Sequence, residues 1–376
     1  MATTVERVAE AASGAIAPRT DGFRPSPAGW AARGAVLALV AWAVLLYPAN
    51  IASPFHVAGF EADAFSEAVI FAVIGLSLNV LIGYTGQISL GHQAFVGIGA
   101  FTSAYVVTKL GQEFWLAVCV AAAVGGLQAL VLGGVSLRVT GLYFALVTLS
   151  YGVLAQESLF NIKSLTGGTA GQPAPRPTGF ESPYRYYYLC LAFLALVLWL
   201  DWRMMRTKGG RALLALRENP RVAATFGINV RAYTLFSFVV SGVFAGIGGS
   251  LLAHRDTQVV SNPFDFQLAL VFILMTVVGG LRSRSGVVLG SAFFALLREG
   301  IVLKALHIEG FFEHTINLTA EVAPLVIGPV LLLVTLTLYP GGIGQQIAPV
   351  REWLRGRRFD RSAGKFEEVR VADVRA

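Results

Sequence analysis

The chain has 376 residues, of which 55% are apolar and only 14% are charged, and its mean hydropathy is +0.65. Soluble domains carry about 25% charged residues, so this composition argues against an ordinary soluble globule, and it excludes disorder across most of the length. The formal net charge of +7 comes mostly from basic residues beside apolar runs. In a membrane protein that pattern reflects topology rather than a nucleic-acid partner.

Ten apolar runs follow one another along the chain and predict membrane-spanning helices, because a bilayer core about 30 Å thick needs about 20 mainly apolar residues per helix. The eighth and tenth runs are short, so re-entrant or broken helices are open alternatives there. The sequence therefore predicts an all-α, polytopic transmembrane bundle with about 8–10 spans. The runs lie near Ala31–Ile51, Phe65–Gly83, Ala94–Leu110, Phe114–Leu137, Leu142–Phe160, Tyr184–Trp202, Ala232–Leu252, Leu268–Leu281, Val287–Lys304 and Pro324–Leu338.

The distribution of Lys and Arg predicts the orientation of these spans. Segment 203–231 carries seven basic residues against one acid, Glu218, and this excess places the segment in the cytoplasm. Alternating ten spans from that anchor puts both termini inside, together with 22 of the 29 Lys and Arg residues. The predicted organisation is a cytoplasmic N-terminal tail over 1–30, a transmembrane domain over 31–343 and a charged cytoplasmic tail over 344–376.

The stretch Asn79–Ala100 interrupts an apolar run with five glycines and several polar side chains. A backbone broken at membrane depth needs internal partners or a water-lined cavity, and transporter sites are typically built from such discontinuous helices. An ordinary interhelical loop at the cytoplasmic surface is the alternative. Four residues of this stretch are candidates for a translocation path: Gln87, Ser89, Gly91 and His92.

The stretch Gly209–Arg231 has an apolar component but is too charged to span a membrane. Pro220 predicts a division into two short helices, and Gly227 predicts the end of the second one. A short cytoplasmic helix of this kind suits docking of a soluble partner in a groove. A basic surface helix lying on anionic lipid is the alternative.

Other candidate sites are weak. Cys119 and Cys190 lie in separate apolar runs, which argues against a disulfide framework and a zinc site. No two histidines have the i, i+4 spacing of a helical metal site, and segment His307–His314 is better explained as an interfacial segment than as a metal site. The sequence contains no phosphate-binding loop of the G-x-x-x-x-G-K-[ST] type. We therefore predict no catalytic residue and no metal.

Two further patterns concern packing and charge. The small-residue steps Gly242–Gly246 and Gly286–Gly290 predict close helix packing within one bundle rather than a dedicated dimer face. Glu67, Glu157 and the adjacent pair Arg298–Glu299 lie in or near apolar runs, where charge is costly. For the two glutamates, snorkelling at the external ends of the spans is the first expectation, and a role in translocation is the alternative.

The two interrupted stretches, with Tyr143–Tyr151 and Ser164–Gly168, resemble the inner-membrane permease subunits of branched-chain amino acid ABC importers, the LivM family. The similarity runs in order from about Phe71 to Gly342. Its most specific parts are Gly-Gln-x-Ser-Leu-Gly-His ending at His92, Leu-Thr-Gly-Gly ending at Gly168, and the segment from Gly210 to Val230. After Gly168 the chain departs from the family, which usually continues with an Asn-Gly or similar turn.

The resemblance implies a partnership. Such permeases pair with a second, LivH-type permease, two cytoplasmic ATPase subunits and an extracytoplasmic solute-binding protein, within the lipid of the bacterial inner membrane. The chain itself would need no cofactor, because the ATPase partner uses the ATP. The resemblance makes Thr166, Gly167 and Gly168 further translocation-path candidates, and matches the family's ATPase-coupling loop to Arg217, Glu218, Asn219, Ala223, Ala224, Gly227 and Ile228.

The function expected from this resemblance is that of a non-enzymatic permease subunit in an ATP-driven importer for branched-chain or related small amino acids. A urea-type or other small-solute ABC permease is one alternative. An ion-coupled secondary carrier that titrates Glu67 or Glu157 is another. A membrane-embedded enzyme is a distant third, because no triad, dyad or metal cluster has usable spacing.

Overall fold

The computed structural model describes residues 27–46, 62–139, 141–301, 323–339, 341–354 and 356. The chain divides into two compact units, Met1–Trp42 with Ala348–Ala376, and Ala43–Ile347. Most of the two predicted tails and the whole of segment His307–His314 lie outside the described residues, so the expectations for them stay predictions.

Nearly all described residues are helical, apart from a short antiparallel ribbon of two strands, β1 (Gln172–Pro173) and β2 (Gln258–Val259). A π-helical turn extends α1 over Trp42–Leu46, and another extends α2 over Asn79–Thr85. The α-helices are α1 Pro27–Ala41, α2 Ala62–Leu78, α3 His92–Thr108, α4 Phe114–Ser136, α5 Leu142–Glu157, α6 Lys163–Thr166, α7 Pro183–Arg206, α8 Lys208–Glu218, α9 Pro220–Thr225, α10 Val230–Asp256, α11 Phe266–Gly279, α12 Arg284–Arg298, α13 Ala323–Leu338 and α14 Gly342–Leu354.

The helices confirm a polytopic, all-α membrane architecture. Each of the ten predicted apolar runs carries a described helix. Among the described residues, four helices are long and apolar enough to cross a membrane by length and composition: α2 with its π-helical extension, α4, α7 and α10. Helices α11 and α13, over the eighth and tenth runs, are among the short ones, as the sequence predicts.

Helix α2 lies at the centre of the larger unit. It is apolar on every side, so it has no face to offer to water, and nearly all of its residues are buried. It packs against α7, α10, α11 and α12, while α10 packs in turn against α3 and α4. Near the two ends of α2, Ser66, Glu67 and Ser77 are therefore fully buried, whereas the side chain of Asp63 in the first turn is 36% exposed.

Glycines set the closest helix contacts in this unit. Gly242 and Gly246 of α10 face the α4 backbone, where a Cβ added at Gly242 would collide with the carbonyl of Gly125. The second predicted step, Gly286–Gly290 on α12, faces the backbone of α11 around Gly279. Both steps are therefore used inside this chain, which confirms the prediction of packing within one bundle.

Candidate coupling surface and translocation path

The predicted break in the chain lies between α2 and α3. The π-helical turn after α2 ends at Gly86, whose φ of 73° is a left-handed conformation that favours glycine. Residues 86–91 are not helical, and α3 begins at His92. The prediction of a discontinuous helix is confirmed.

The start of α3 lies inside the bundle rather than at its end. The Ser77 hydroxyl donates to the Ser241 carbonyl (2.9 Å), and His92 Nε2 lies 2.7 Å from the same hydroxyl. Ser241 is eleven residues beyond Val230, the first residue of α10, which places it about 17 Å along that helix at about 1.5 Å per residue. A loop confined to the cytoplasmic surface does not account for this position.

The polar candidates of the break are mostly enclosed by the chain. Ser89 and His92 are fully buried, whereas Gln87 is half-buried. Gly91 lies so close to the Thr148 carbonyl that a side chain has no room. The hydroxyl of Ser89 has no hydrogen-bond partner among the described residues. These residues stay translocation-path predictions. Within this subunit, Ser89, Gly91 and His92 lie beneath the surface, whereas Gln87 reaches it.

Thr166, Gly167 and Gly168 form a tight turn. Thr166 is buried and its hydroxyl donates to the Phe160 carbonyl (2.8 Å), while the two glycines adopt φ values of 77° and 66°. Leu165 and Thr166 also line an apolar cavity of about 320 Å³ beside α3. The turn is thus a structural element that borders a cavity, and its place in a translocation path stays a prediction.

Helices α8 and α9 form the predicted coupling segment. Pro220 is the first residue of α9, and the Asn219 side chain caps that helix by accepting from the backbone N–H groups of Arg221 (3.0 Å) and Val222 (3.2 Å). Gly227 has a φ of 77° and ends α9 in a Schellman arrangement, because its N–H bonds to the second-last and that of Ile228 to the third-last helical carbonyl. Both predictions for this segment are confirmed.

An open groove of about 620 Å³ lies between α8, α9 and the start of α10. Ala223 is buried beneath it and Ala224 is exposed. Phe226 is 80% exposed and Val222 49% exposed, so large apolar side chains stand in solvent on a basic segment. The remaining groove residues include Lys208, Arg211, Glu218, Asn219, Gly227 and Ile228.

Arg217 points into the chain. Its Nη1 donates to the carbonyls of Ile82 (3.0 Å) and Gly83, at the end of α2. Burial is the largest cause that lowers the pKa of the Arg217 guanidinium below its ordinary value. A Cβ at Gly86 would lie 3.6 Å from Arg217 Cγ, so the coupling segment touches the start of the break. The charged stretch Gly209–Arg231 and the interrupted stretch Asn79–Ala100, which are separate in the sequence, therefore contact each other here.

Glu218 also has a partner within the chain. Its carboxylate pairs with Arg282 (2.5 Å), in the turn between α11 and α12, and this hydrogen bond lowers the pKa of Glu218. The backbone N–H of Arg282 donates to Asn79 Oδ1 (2.9 Å). The contact ties the end of α8 both to this turn and to the end of α2.

Asp201 anchors a group of residues that the sequence analysis missed. It is fully buried in the last turns of α7, where Tyr84 donates to its Oδ2 (3.0 Å) and Arg284 pairs with the same oxygen. These contacts join the ends of α7 and α2 to the start of α12. A lone acid within the apolar run of α7 was the available signal, because an ionisable residue at membrane depth needs a partner.

A second charge cluster lies at the opposite ends of α2, α10 and α12. Glu67 is fully buried between Arg298 (2.6 Å) and Arg255 (2.9 Å), and Arg255 also pairs with Glu299 (2.5 Å). The expectation that Glu67 snorkels to the interface is therefore wrong, because its carboxylate is fully buried and forms ion pairs with two guanidinium groups in the interior. Glu157, in contrast, is exposed, and its snorkelling at the interface stays a prediction.

Comparison with known proteins decides the family. The family described as "Branched-chain amino acid transport system / permease component" matches residues 62–335. The chain belongs to this family. The permease is 30% identical over 284 residues to the high-affinity branched-chain amino acid transport system permease protein LivM of Escherichia coli (strain K12), with 68% of this chain and 67% of that protein covered.

Other relatives of the permease are named for different solutes. It is 26% identical over 305 residues to the guanosine ABC transporter permease protein NupQ of Bacillus subtilis, covering 73% of this chain and 90% of that one. A solved structure, PsaBC from Streptococcus pneumoniae in complex with Fab, matches 77% of this chain and 94% of that chain with a TM-score of 0.40 and 16% identity.

These matches make the permease a multi-pass membrane component of an ABC transporter and not an enzyme. The permease spans about two thirds of the length of the LivM proteins it matches, 67% and 65%. Its solute and its partners are therefore taken up as proposals.

Proposed function

We propose that the permease imports branched-chain or related small apolar amino acids across a bacterial inner membrane, driven by ATP hydrolysis in separate subunits. The similarity to LivM supports the solute class. The single observation that carries the coupling role is the contact from Arg217 to the carbonyls at the end of α2, directly behind an open groove.

In this proposal the groove docks the ATPase. Phe226 and Val222 are apolar side chains already exposed on a basic, folded segment, which is the composition of an interface anchor. The helix cap and the Schellman turn shape the surface around Phe226 and Val222. These two features involve Asn219, Ala223, Ala224, Gly227 and Ile228. Movement of the ATPase would shift α8 and α9 together.

The guanidinium of Arg217 faces the permease, so we assign Arg217 to transmission rather than to contact with the ATPase. Glu218 lines the groove and also pairs with Arg282, so we assign it to both the docking surface and transmission. A displacement of α8 reaches α2 through Arg217 and the α11–α12 turn through Glu218 and Arg282. The break at residues 86–91 follows immediately in the chain. Alternating access would be produced by rearrangement of this break and of α3.

The partners proposed are those of the family resemblance: a LivH-type permease, two ATPase subunits and an extracytoplasmic solute-binding protein. A probable LivH permease of Methanocaldococcus jannaschii is itself 35% identical to this chain over 130 residues, covering 34% of this chain and 41% of that protein, which supports a homologous second permease. The permease would hold no cofactor, since ATP binds to the ATPase partner.

Co-purification with the ATPase tests the docking role. The full-length permease with Phe226→Asp should retain less than about a tenth of the ATPase retained by the wild type, because an apolar anchor is replaced by a charge. Phe226→Leu is the matched control and should retain it. Phe226 is 80% exposed, so neither change disturbs the core. Equal ATPase retention by both variants would refute the docking role.

A nucleoside importer is the second candidate, favoured by the match to NupQ over most of both chains. Uptake by the reconstituted complex of radiolabelled leucine and guanosine separates the two candidates. The proposal requires ATP-dependent accumulation of leucine. Accumulation of guanosine without leucine would replace it.

A further inference from the structure

Among the four long apolar helices in the described part of the chain, α7 is the least enclosed by its own subunit. Only 28% of its apolar 18-residue window is buried, against 94% for α2. An exposed stripe runs along α7 at helical spacing and contains Ala192, Leu196, Trp199, Arg203 and Arg206. A spanning helix with an exposed apolar stripe faces either lipid or a neighbouring subunit.

Aromatic side chains mark both ends of this stripe. Tyr184 is 43% exposed near the start of α7, and Trp202 is 38% exposed near its end. The two residues are separated by 202 minus 184, or 18, positions, which is about five turns and about 27 Å along a helix. They therefore share a face, and their separation matches a hydrocarbon core about 30 Å thick. Because Tyr and Trp are enriched at both membrane–water interfaces, we place Trp202 at headgroup level on the predicted cytoplasmic side.

Two arginines accompany the tryptophans at this end of the stripe. Arg203 is one turn beyond Trp199 and Arg206 is one turn beyond Trp202, so the four side chains form one exposed patch, the α7 patch. The guanidinium carbon of Arg206 lies 4.1 Å from the centre of the Trp202 ring. A guanidinium over an aromatic face keeps the N–H donors in its own plane available for a second partner.

The α7 patch carries positive charge that the chain does not balance locally. Among the described residues, neither Arg203 nor Arg206 forms an ion pair. Asp201, the nearest acid in the sequence, is fully buried and contacts Tyr84 and Arg284 instead. Burial of two unpaired guanidinium groups against another protein would be costly, whereas a phosphodiester supplies a negative charge and accepts parallel N–H bonds.

We propose that the α7 patch binds the headgroup of an anionic phospholipid. Arg203 and Arg206 hold the phosphate, and an acyl chain lies along Trp199 and Leu196. Each basic residue near an anionic membrane surface contributes about fivefold to affinity, so the pair favours a lipid with net negative charge. A zwitterionic phospholipid binds more weakly, because its own ammonium offsets its phosphate. The inference goes beyond the proposed function and holds whichever solute is transported.

Native mass spectrometry of the purified permease complex tests the site. The complex is titrated in detergent with phosphatidylglycerol or phosphatidylcholine of identical acyl chains, and the affinity for the first bound lipid is measured. The wild type should bind phosphatidylglycerol at least about tenfold more tightly than phosphatidylcholine. The double variant Arg203→Gln with Arg206→Gln should bind phosphatidylglycerol about tenfold or more weakly than the wild type, with phosphatidylcholine binding within about twofold.

Arg138→Gln with Arg221→Gln is the matched control. It removes the same charge from exposed positions on the predicted cytoplasmic side, beyond α4 and on α9. This control should keep phosphatidylglycerol binding within about twofold, and thermal unfolding should show that both double variants are folded. Equal loss in the two double variants, or no preference of the wild type for phosphatidylglycerol, would overturn the inference. Loss of the second permease from the Arg203→Gln, Arg206→Gln complex, with lipid binding unchanged, would also overturn it and assign the patch to a protein interface.

Discussion

At the scale of single residues, the buried ionisable groups show most clearly which helices are held together. Asp201 accepts from Tyr84 and pairs with Arg284, and Glu67 is held by Arg255 and Arg298. Each group joins helices that are distant in sequence. Such pairs contribute less to net stability than their geometry suggests, but removal of one partner leaves a buried charge uncompensated.

Asp201→Asn should therefore destabilise the permease. Breaking a buried pair costs about 3–5 kcal/mol, and the lower end applies because the Arg284 side chain is 31% exposed. Tyr84→Phe removes only a neutral donor and should cost about 1 kcal/mol. Thermal unfolding in detergent measures both. Glu157→Gln, at an exposed position, is the control, and a melting temperature for Asp201→Asn equal to that of the control would contradict this role.

At the scale of elements, the close approach of α4 and α10 depends on glycine. Gly125→Val should force the two backbones apart, because a Cβ at Gly125 would collide with the Gly242 carbonyl. Overpacking of this kind typically costs about 1–3 kcal/mol. The matched control is Gly134→Ala on the same helix, where a Cβ meets nothing within 4 Å. The comparison of unfolding temperatures is decisive: a Gly125→Val protein as stable as Gly134→Ala would show that the contact is not tight.

The sequence predicts the ends of helices better than it predicts the contact partners of their side chains. Pro220 and Gly227 act locally through a fixed φ and a left-handed φ, so the division of α8 from α9 and the end of α9 could be predicted. The break before His92 could be predicted for the same reason. The contacts of Arg217 and Asp201 could not, because their partners lie 83 to 135 residues away in the chain.

At the scale of the whole molecule, the ion pairs described for the larger unit form two separate groups. One group lies around the coupling segment and includes Arg217, Glu218, Arg282 and Arg284. The other lies at the opposite end of α2, where Arg176 pairs with Asp63 and Arg255 pairs with Glu67. Helix α2 connects the two groups, so a force applied at the groove can reach the opposite end of the larger unit through a single packed helix.

The proposed role of Arg217 is to transmit movement of the ATPase to the translocation path. This role is tested most directly by measuring ATP hydrolysis and leucine uptake in the same proteoliposomes with the complete transporter. Arg217→Ala should keep at least about half of the wild-type hydrolysis, because the groove is intact, while uptake falls about tenfold or more. The exposed Arg221→Ala, on α9, is the control and should retain both activities. Uptake by Arg217→Ala at the wild-type rate would contradict the account.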